Sequence, residues 1–485
     1  MFKHIFSPAL LNFWLFIAFA LGILIGFYFP YFLAFMLMFI FSTSLIFVFS
    51  NRRKFLFSDI FIMFLFLSLG ALWYLPYSYR SVDKFLGGEN IFVLKVSSMP
   101  KENISRNTFI ADIEKINGDY ITQRTKVIDY SRAMAYLNDY EVKARLSVAT
   151  IGNTDFYTLW VKSNSAPKKI PVGLWGKFNR KMTYRLLDVL KNNLTDESYR
   201  FISSVFLGRR ELLSKEEKNI FTDAGISHLL AISGSNIGLT ALVLFFIFKL
   251  FNIKFRACLI LSVLFLFAYT LITGANPPTL RAVIMYAAFS LSFFVKRKLN
   301  PFNSLGLAGL ACLIANPLWL FDVGFQLSFL SIFSLILGFK MFPIKQYKVG
   351  YFNQLQYLFF SSLYVTLLIT PLVSYYFGRI YILSVLNNIV LIPFFTFILL
   401  VNFTLLVLSP LKFIAQPIAG VLSALIPLFY KVSHLLGSIK FSFIAYKFSI
   451  EAVFIYYVVI AGFVVLLKIL PQTAARKWFD KIRGF

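Results

Sequence analysis

The chain has 485 residues, of which 59% are hydrophobic and only 14% are charged, with a formal net charge of +27. So little charge excludes a soluble globular protein of this length, and many apolar runs of about 18 or more residues predict a polytopic α-helical membrane protein. Because it has three histidines and two cysteines, both cysteines in apolar segments, we expect no metal centre, no disulfide framework and no cofactor.

Three apolar segments open the chain, at about residues 10–29, 31–50 and 58–76. The basic run "NRRK" at 51–54 separates the second segment from the third, and basic residues in short loops favour the cytoplasmic side. We therefore expect residues 1–76 to form three transmembrane helices, with a cytoplasmic amino terminus and an exit to the outside.

Residues 77–172 differ in character, because charged residues return and short alternating runs replace the long apolar ones. The alternation predicts five strands, and "NG" at 117–118 is typical of a hairpin turn. The predicted strands are 90–98, 107–116, 119–129, 139–149 and 156–164. This strand count predicts a small all-β, OB-like module, inserted on the extracytoplasmic side of the membrane.

One face of this module is basic and aromatic. The strand 139–149 places Lys143 and Arg145 on one side, and the strand 156–164 presents Trp160 and Lys162 together. Such a face suits single-stranded nucleic acid, because lysine and arginine neutralise phosphates and an aromatic ring stacks on bases. A solvated basic face without a ligand explains the same pattern.

Residues 173–227 are expected to form amphipathic surface helices. From Leu174 to Leu194, Phe178 and Leu186 belong to an apolar face, and Lys181 and Arg185 to a basic one. This pattern is typical of a helix on a bilayer surface. Two short helices are predicted to follow, near 196–208 and 214–224.

Residues 228–470 form the second apolar block, which is expected to be a transmembrane helix bundle. Residues 228–485 carry twenty basic and three acidic side chains, and the basic clusters between spans fall on one predicted side, the cytoplasm. With the first three segments this predicts about 10–12 transmembrane helices and a basic cytoplasmic tail at 471–485. The nine predicted helices are 228–250, 255–273, 279–295, 302–316, 319–341, 354–377, 381–409, 411–437 and 450–470.

The stretch "HLLAISGSNIG" places a polar notch at the start of this block. His228, Ser233, Ser235 and Asn236 are polar, and Gly234 and Gly238 form a G-x-x-x-G pair. Close helix packing explains such a pair, and so does a helix start that faces an aqueous path. A serine hydrolase is disfavoured, because His228 lies only five or seven residues from the two serines on the same predicted helix. That is a poor geometry for a base that must reach the serine hydroxyl.

Three further polar positions lie in the predicted spans. In "TGANPPTLRA", Asn276 suits a turn broken by two prolines, and Arg281 follows one turn into the next helix. Arg281 either snorkels outward or lies on a pore wall. Asp322 is expected to pair with Arg281 or Arg379, or to line a cavity, and Gln326 shares its helical face.

The stretch "YYFGRIYILSVLNNIVLIP" contributes a last polar set. Arg379 lies at a helix end, and Asn387 and Asn388 fall within an apolar segment. Buried amides need hydrogen-bond partners, so these two either hold helices together or line a path.

The motifs "LGRRELLS", "AGISHLLAISGSNIGL", "GANPPTLRA", "NPLWLFDVGFQLSFL" and "YYFGRIYILSVLNNIVLIP" occur in this order across about 200–395. They resemble the ComEC family of DNA-uptake channel proteins, and the three-span start and the OB-like module are similar to that family too. The positions that match family motifs are Gly208, His228, Ser233, Gly234, Gly238, Gly274, Arg281, Asp322, Gly324, Gln326, Ser328, Gly378, Asn388 and Pro393.

The resemblance implies a path for one strand of incoming DNA through the cytoplasmic membrane during natural transformation. The chain departs from the family pattern at Asn236, where histidine is usual, which puts a proton-dependent role there in doubt. It also stops soon after its last span, so it is expected to be a short form without the C-terminal metallo-β-lactamase-like nuclease, and not an enzyme.

The expected partners are single-stranded DNA, the lipid bilayer, a separate DNA receptor, a separate nuclease and a cytoplasmic ATPase or helicase, since the chain has no P-loop. The set proposed for the DNA path is His228, Ser233, Ser235, Asn236, Asn276, Arg281, Asp322, Gln326, Arg379, Asn387 and Asn388. A non-conducting scaffold that docks the uptake machinery or a nuclease, and a transporter of another anionic polymer, are the alternatives.

Overall fold

The computed structural model describes residues 11–28, 65–74, 86, 88–96, 101–102, 107–117, 119–131, 134, 139–151, 154–163, 167–170, 174–230, 234–273, 277–295, 300–344, 350–439 and 442–469. The predicted span 31–50, the "NRRK" loop and the tail 471–485 lie outside the described residues, and so do Ser233, Gly274 and Asn276.

The membrane part consists of helices that follow the apolar runs. The first two are α1 (Leu11–Tyr28) and α2, described over Leu65–Tyr74. The later ones are α6 (Gly234–Leu250), α7 (Phe255–Ile272), α8 (Pro277–Val295), α9 (Pro301–Ala315), α10 (Val323–Met341), α11 (Gly350–Phe377), α12 (Ser384–Leu408), α13 (Lys412–Gly437) and α14 (Ile450–Ile469). All nine helices predicted within 228–470 are therefore present.

Among the described helices, five are long and apolar enough to cross a bilayer, namely those at Phe255–Ile272, Val323–Met341, Asn353–Phe377, Ser384–Leu408 and Lys412–Gly437. Six more are apolar but shorter over their described parts. The protein is thus a polytopic helical membrane protein, while the number of about 10–12 spans stays a prediction.

Helix α1 lies between α2 and α9, and glycines make the close approach possible. A Cβ on Gly22 would collide with the backbone of Leu67, and one on Gly306 would collide with the backbone of α1 at Asn12 and Phe13. Small residues allow helix backbones to approach in this way where lipid supplies no hydrophobic drive. The first helix is therefore an integral part of the second block.

A proline in α11 is compensated by α14. Pro371 has no N–H, so the carbonyl of Leu367, one turn earlier, receives no helical hydrogen bond. The Tyr456 hydroxyl donates to that carbonyl (2.9 Å), and the Tyr457 hydroxyl donates to the neighbouring carbonyl of Leu368 (2.8 Å). The two tyrosines thereby fasten α14 to the irregular turn of α11.

The β module has the strands β1 (Glu89–Val96), β2 (Lys101–Glu102), β3 (Asn107–Ile116), β4 (Asp119–Asp129), β5 (Asp139–Ile151), β6 (Thr154–Val161) and β7 (Lys168–Ile170). The order β1-β3-β4-β6-β5 closes on itself through a β1–β5 pairing, and only β4 and β6 run parallel. The five predicted strands and a closed barrel are confirmed. The OB assignment itself stays a prediction.

Alternation along the strands builds the barrel core. Val142, Ala144 and Leu146 of β5 are buried, and Lys143 and Arg145 between them are exposed. Asn117, with φ of 50°, makes the predicted hairpin turn, and its side chain accepts a hydrogen bond from the Ile91 backbone (2.8 Å). The turn is thereby tied to the first strand.

Three helices lie between the barrel and the second bundle in the chain: α3 (Leu174–Asn193), α4 (Asp196–Leu207) and α5 (Lys215–Asp223). Residues 201–207 of α4 are all buried, so the predicted surface position is wrong for this helix. Helix α3 buries Leu187 and Leu190, but Phe178 of its predicted apolar face is half exposed. Ser214 and Glu217 form a reciprocal capping box at the start of α5. These helices bring the stretch that follows, with His228, against the bundle.

Candidate functional site

The polar notch lies where a short helix gives way to α6. A 3₁₀ helix covers Ser227–Leu230, and α6 begins at Gly234 with Ser235 and Asn236 in its first turn. His228 lies in this 3₁₀ helix, and its side chain is exposed. The predicted start of this helix at residue 228 is wrong, because Ser227–Leu230 form the 3₁₀ helix and the α-helix is described from Gly234.

The glycine pair of the notch does not make a tight helix contact. At Gly234 an added Cβ would meet the Ala282 Cβ at 3.8 Å and the Arg281 Nη2 at 4.0 Å, which is ordinary contact. At Gly238 it would meet nothing within 4 Å. The close-packing interpretation is therefore wrong for Gly238, which lies on an exposed stripe of α6 with Leu242 and Phe246.

Arg281 is the most deeply buried charge of this region. Its side chain is 1% exposed, and its Nε and Nη1 have no hydrogen-bond partner among the described residues. The guanidinium carbon lies 5.3 Å from the centre of the Phe329 ring, so a cation–π contact compensates part of the lost hydration. Arg281 thus points inward toward the notch and does not snorkel outward.

Asp322 does not pair with either arginine, so the predicted ion pair is wrong. The carboxylate is the N-cap of α10 and accepts a hydrogen bond from the Phe325 backbone (2.7 Å). A carboxylate at this position accepts a hydrogen bond from an otherwise free backbone N–H and interacts favourably with the positive end of the helix dipole. Gln326 donates to the Leu320 carbonyl (3.0 Å) and accepts from the Tyr376 hydroxyl (2.9 Å).

Arg379 instead pairs with Asp223 at the end of α5, at 2.6 Å between Nη1 and Oδ1. Arg379 belongs to β8 (Arg379–Tyr381), which pairs with β9 (Phe443–Ala445), and its guanidinium also lies 4.3 Å from the Phe443 ring centre. The Ser442 hydroxyl donates to the Asp223 carbonyl (3.0 Å). This small sheet therefore holds the end of α5, directly before the notch.

The two asparagines of α12 also connect helices. Asn387 Nδ2 donates to the Ala224 carbonyl (2.9 Å), and Asn388 Nδ2 donates to the Ser362 hydroxyl of α11 (2.8 Å). Both side chains are buried, and these contacts fit the helix-joining interpretation. A role of either residue in a DNA path stays a prediction.

Sequence reasoning missed Arg210. It lies in a 3₁₀ helix, Arg210–Leu212, after the left-handed Gly208 (φ 74°) that ends α4. Its Nε donates to the Leu230 carbonyl (2.8 Å), which places it at the notch. Arg210 could have been predicted, because two adjacent arginines in "LGRRELLS" directly follow a glycine that is typical of a helix end.

The barrel face brings the four predicted residues together. Arg145 lies directly opposite Trp160 across β5 and β6, and Glu89 lies opposite Arg145 across β1 and β5. The Trp160 ring is 38% exposed and stacks on Tyr130 with ring centres 6.5 Å apart. Its indole N–H donates to Ser147 Oγ (2.7 Å). These two contacts hold the Trp160 ring in place, and more than a third of the residue remains exposed.

Glu89 opposes the predicted binding role of this face. Its carboxylate forms ion pairs with Lys143 (3.5 Å) and with Lys162. The hydrogen bond from Lys162 is the main reason why the pKa of Glu89 lies below its usual range, so the carboxylate is charged at neutral pH. If this face binds DNA as predicted, Glu89 would compete with phosphate for both lysines.

Replacing Glu89 by glutamine is expected to strengthen binding of a single-stranded oligonucleotide several-fold at low salt, because both lysines become available to phosphates. The log–log dependence of the binding constant on salt should steepen by about 0.7 for each lysine that contacts a phosphate. Fluorescence anisotropy with the full chain in detergent measures both. Glu141→Gln, on the same face of β5, is the matched control, and equal effects of the two changes would contradict this competition.

Metal ligands do not cluster in the part of the chain that the structure describes, where no group of three or more His, Cys, Asp or Glu side chains could hold an ion. Cys258 and Cys312 are both buried free thiols.

Comparison with known proteins places residues 205–470 on a family model described as "Competence protein". ComE operon protein 3 of Bacillus subtilis is 33% identical over 207 residues, which are 43% of this chain and 26% of that protein. Recombination protein 2 of Haemophilus influenzae is 26% identical over 208 residues, 40% of this chain and 26% of that protein. An uncharacterized protein of Aquifex aeolicus is 28% identical over 229 residues, 45% of this chain and 54% of that protein.

The matched stretch thus spans about a quarter of the length of the first two relatives and about half of the third. The family-model match at residues 205–470 contains the notch, Arg281 and the β8–β9 sheet. No solved structure matches the chain.

Proposed function

Because the chain belongs to the competence protein family, we propose that it forms a path for single-stranded DNA across the cytoplasmic membrane during natural transformation. The observation that carries this proposal is Arg281, a 1% exposed charge whose Nε and Nη1 lack partners among the described residues. A buried charge without a counter-charge is unfavourable by several kcal/mol, so such residues persist mainly where function needs them. A phosphodiester would supply the missing charge.

The packing favours one side of the second bundle for this path. Phe201, Phe221, Phe395 and Phe429 of α4, α5, α12 and α13 are buried and in mutual ring contact, for example 5.7 Å between the centres of Phe201 and Phe429. That aromatic cluster closes the space among these four helices. The polar positions at α6, α8 and α10, which include Arg281, are therefore the proposed wall of the path.

The orientation of the chain is part of the proposal. The basic residues Lys249, Lys254 and Arg256 lie at the α6–α7 connection, and Lys340 lies at the end of α10, all at one predicted side. Basic short loops favour the cytoplasm. We place both termini in the cytoplasm and residues 77–227 outside, where the barrel can receive DNA.

The aromatic cluster also supports the second candidate, a non-conducting scaffold that docks the uptake machinery. Under either function, a separate receptor, a nuclease that degrades the other strand and a cytoplasmic ATPase or helicase are proposed partners. The two functions differ in whether the DNA touches residues inside the second bundle, which substitutions of those residues test.

Removal of the gene from a naturally competent host is expected to leave DNA binding at the cell surface and to abolish entry of labelled DNA. The measurement is the label that survives external nuclease, with the wild-type gene supplied in trans as the control. Undiminished entry without the protein would contradict both the path and the scaffold. Loss of entry that is restored by every variant inside the bundle would favour the scaffold.

A further inference from the structure

Arg210 has an unusual position for an exposed arginine. Gly208, in the left-handed region at φ 74°, turns the chain at the end of α4, and the 3₁₀ helix Arg210–Leu212 follows. The Arg210 side chain is exposed, so an anion outside the protein can reach its guanidinium group.

One nitrogen of Arg210 is already occupied. The Nε–H donates to the Leu230 carbonyl at 2.8 Å, which fixes the direction of the guanidinium. The two terminal amino groups, Nη1 and Nη2, lie at the other end of the planar guanidinium group. An arginine oriented in this way is prepared for an anion with two oxygens, because its donors are fixed before the anion arrives.

Arg281 lies at the other end of the same short stretch. Its Nη2 is 4.0 Å from the place that a Cβ on Gly234 would take, while Arg210 holds Leu230. Three residues lie between Leu230 and Gly234, so their Cα atoms are at most about 14 Å apart. Both arginines therefore lie at the polar notch, Arg210 at Leu230 and Arg281 at Gly234.

We propose that Arg210 is a second phosphate-binding residue of the path, so that Arg210 and Arg281 contact phosphates of the same DNA strand as it passes the notch. This inference rests on the proposed function. It assigns to Arg210 the outer contact, since Arg210 is exposed and Arg281 is buried. His228, two residues before Leu230, is exposed on the Arg210 side of this stretch and would lie beside the bound strand.

A purely structural role would need only the hydrogen bond to Leu230. Glutamine can keep that bond through its amide N–H₂ but has no charge, and lysine keeps the charge but not the fork. The pair Arg210→Gln and Arg210→Lys therefore separates the two roles. Arg185→Gln is the control, because Arg185 is an exposed arginine on the neighbouring helix α3.

The experiment measures binding of a fluorescent oligo(dT) to the purified full chain over a range of salt, and DNA entry in cells. Arg210→Gln is expected to lower DNA entry about tenfold or more and to reduce the salt slope by about 0.7, the value of one phosphate on a single strand. Arg210→Lys should keep the slope, because the slope counts charges. Arg185→Gln should change neither quantity.

Normal entry and an unchanged slope with Arg210→Gln would overturn the inference, and so would an equal loss of slope with Arg210→Lys. If Arg210→Gln does not yield folded protein, the affinity of Arg210→Lys decides: loss of the two-donor fork should weaken oligo(dT) binding several-fold at an unchanged slope, and wild-type affinity would overturn the inference. Loss of entry by an Arg281 variant together with normal behaviour of Arg210→Gln would leave the proposed function standing and remove only this inference. Absence of entry by wild-type protein would instead refute the proposed function.

Discussion

Replacement of Arg281 by methionine is expected to abolish DNA entry and to leave the melting temperature of the protein unchanged or higher. The two effects have opposite signs because the arginine is costly to the fold and needed by the substrate. A bidentate phosphate contact of about 3 kcal/mol corresponds to at least about a 100-fold loss of transport.

The stability part follows from the surroundings of Arg281. The residue is buried and its Nε and Nη1 are unpartnered among the described residues, so methionine removes a desolvated charge of several kcal/mol. Loss of the cation–π contact with Phe329 destabilises the folded protein by at most about 2 kcal/mol, which offsets only part of this gain. Thermal unfolding of the purified protein and the nuclease-resistant label in cells measure the two effects.

A double variant separates this prediction from an ion-pair model. Because Asp322 caps α10 and is not bonded to Arg281, Arg281→Gln with Asp322→Asn is expected to stay inactive. Restored entry in the double variant would show that Arg281 only balances Asp322. Full entry by Arg281→Met alone would refute the phosphate contact and favour the scaffold.

Gly306→Ala is expected to destabilise the protein by about 3 kcal/mol or more, at the upper end of the cost of overpacking. The added Cβ would collide with the backbone of α1 at Asn12 and Phe13, and backbone cannot rotate away. At Gly309, one turn on, the obstacle is the ring of Phe16, which can shift, so Gly309→Ala should cost less.

Gly420→Ala provides the control for this series, because its Cβ would meet nothing within 4 Å. Alanine favours a helix interior over glycine by about 0.5–1 kcal/mol, so this change should stabilise slightly. Melting temperatures in one detergent measure the order Gly420→Ala, Gly309→Ala, Gly306→Ala from highest to lowest. Equal values for the first and the last would show that α1 does not pack on α9.

The helices of the second bundle could be predicted from the sequence because the bilayer leaves few alternatives. A long apolar run in lipid must bond all its backbone groups internally, so it forms a helix. The segment 381–409 accordingly appears as Ser384–Leu408, even with Pro393 inside it. The start of α6 differs most from its predicted position, because residues Ser227–Leu230 form a 3₁₀ helix and the α-helix is described from Gly234. Apolarity alone does not distinguish a 3₁₀ turn from the first turn of an α-helix.

The partners of charged residues could not be predicted, because they depend on register and on distant contacts. Arg379 meets Asp223 across 156 residues of sequence, and Glu89 reaches Lys143 and Lys162 only because β1 lies beside β5. The role of Asp322 was within reach, since an aspartate directly before an apolar run is a usual helix start. Because Asp322 is one of only three acidic residues in 228–485, the sequence favoured an ion pair over a helix cap.

The small sheet of β8 and β9 has a consequence for how the protein is made. Ser442 bonds the carbonyl of Asp223, 219 residues earlier in the chain. At about 5–20 residues per second of synthesis, the end of α5 waits on the order of 10–40 s for that partner. The stretch around His228 therefore acquires its final contacts only after residue 442 has been synthesised, and a shorter nascent chain does not yet hold the proposed DNA path in its finished form.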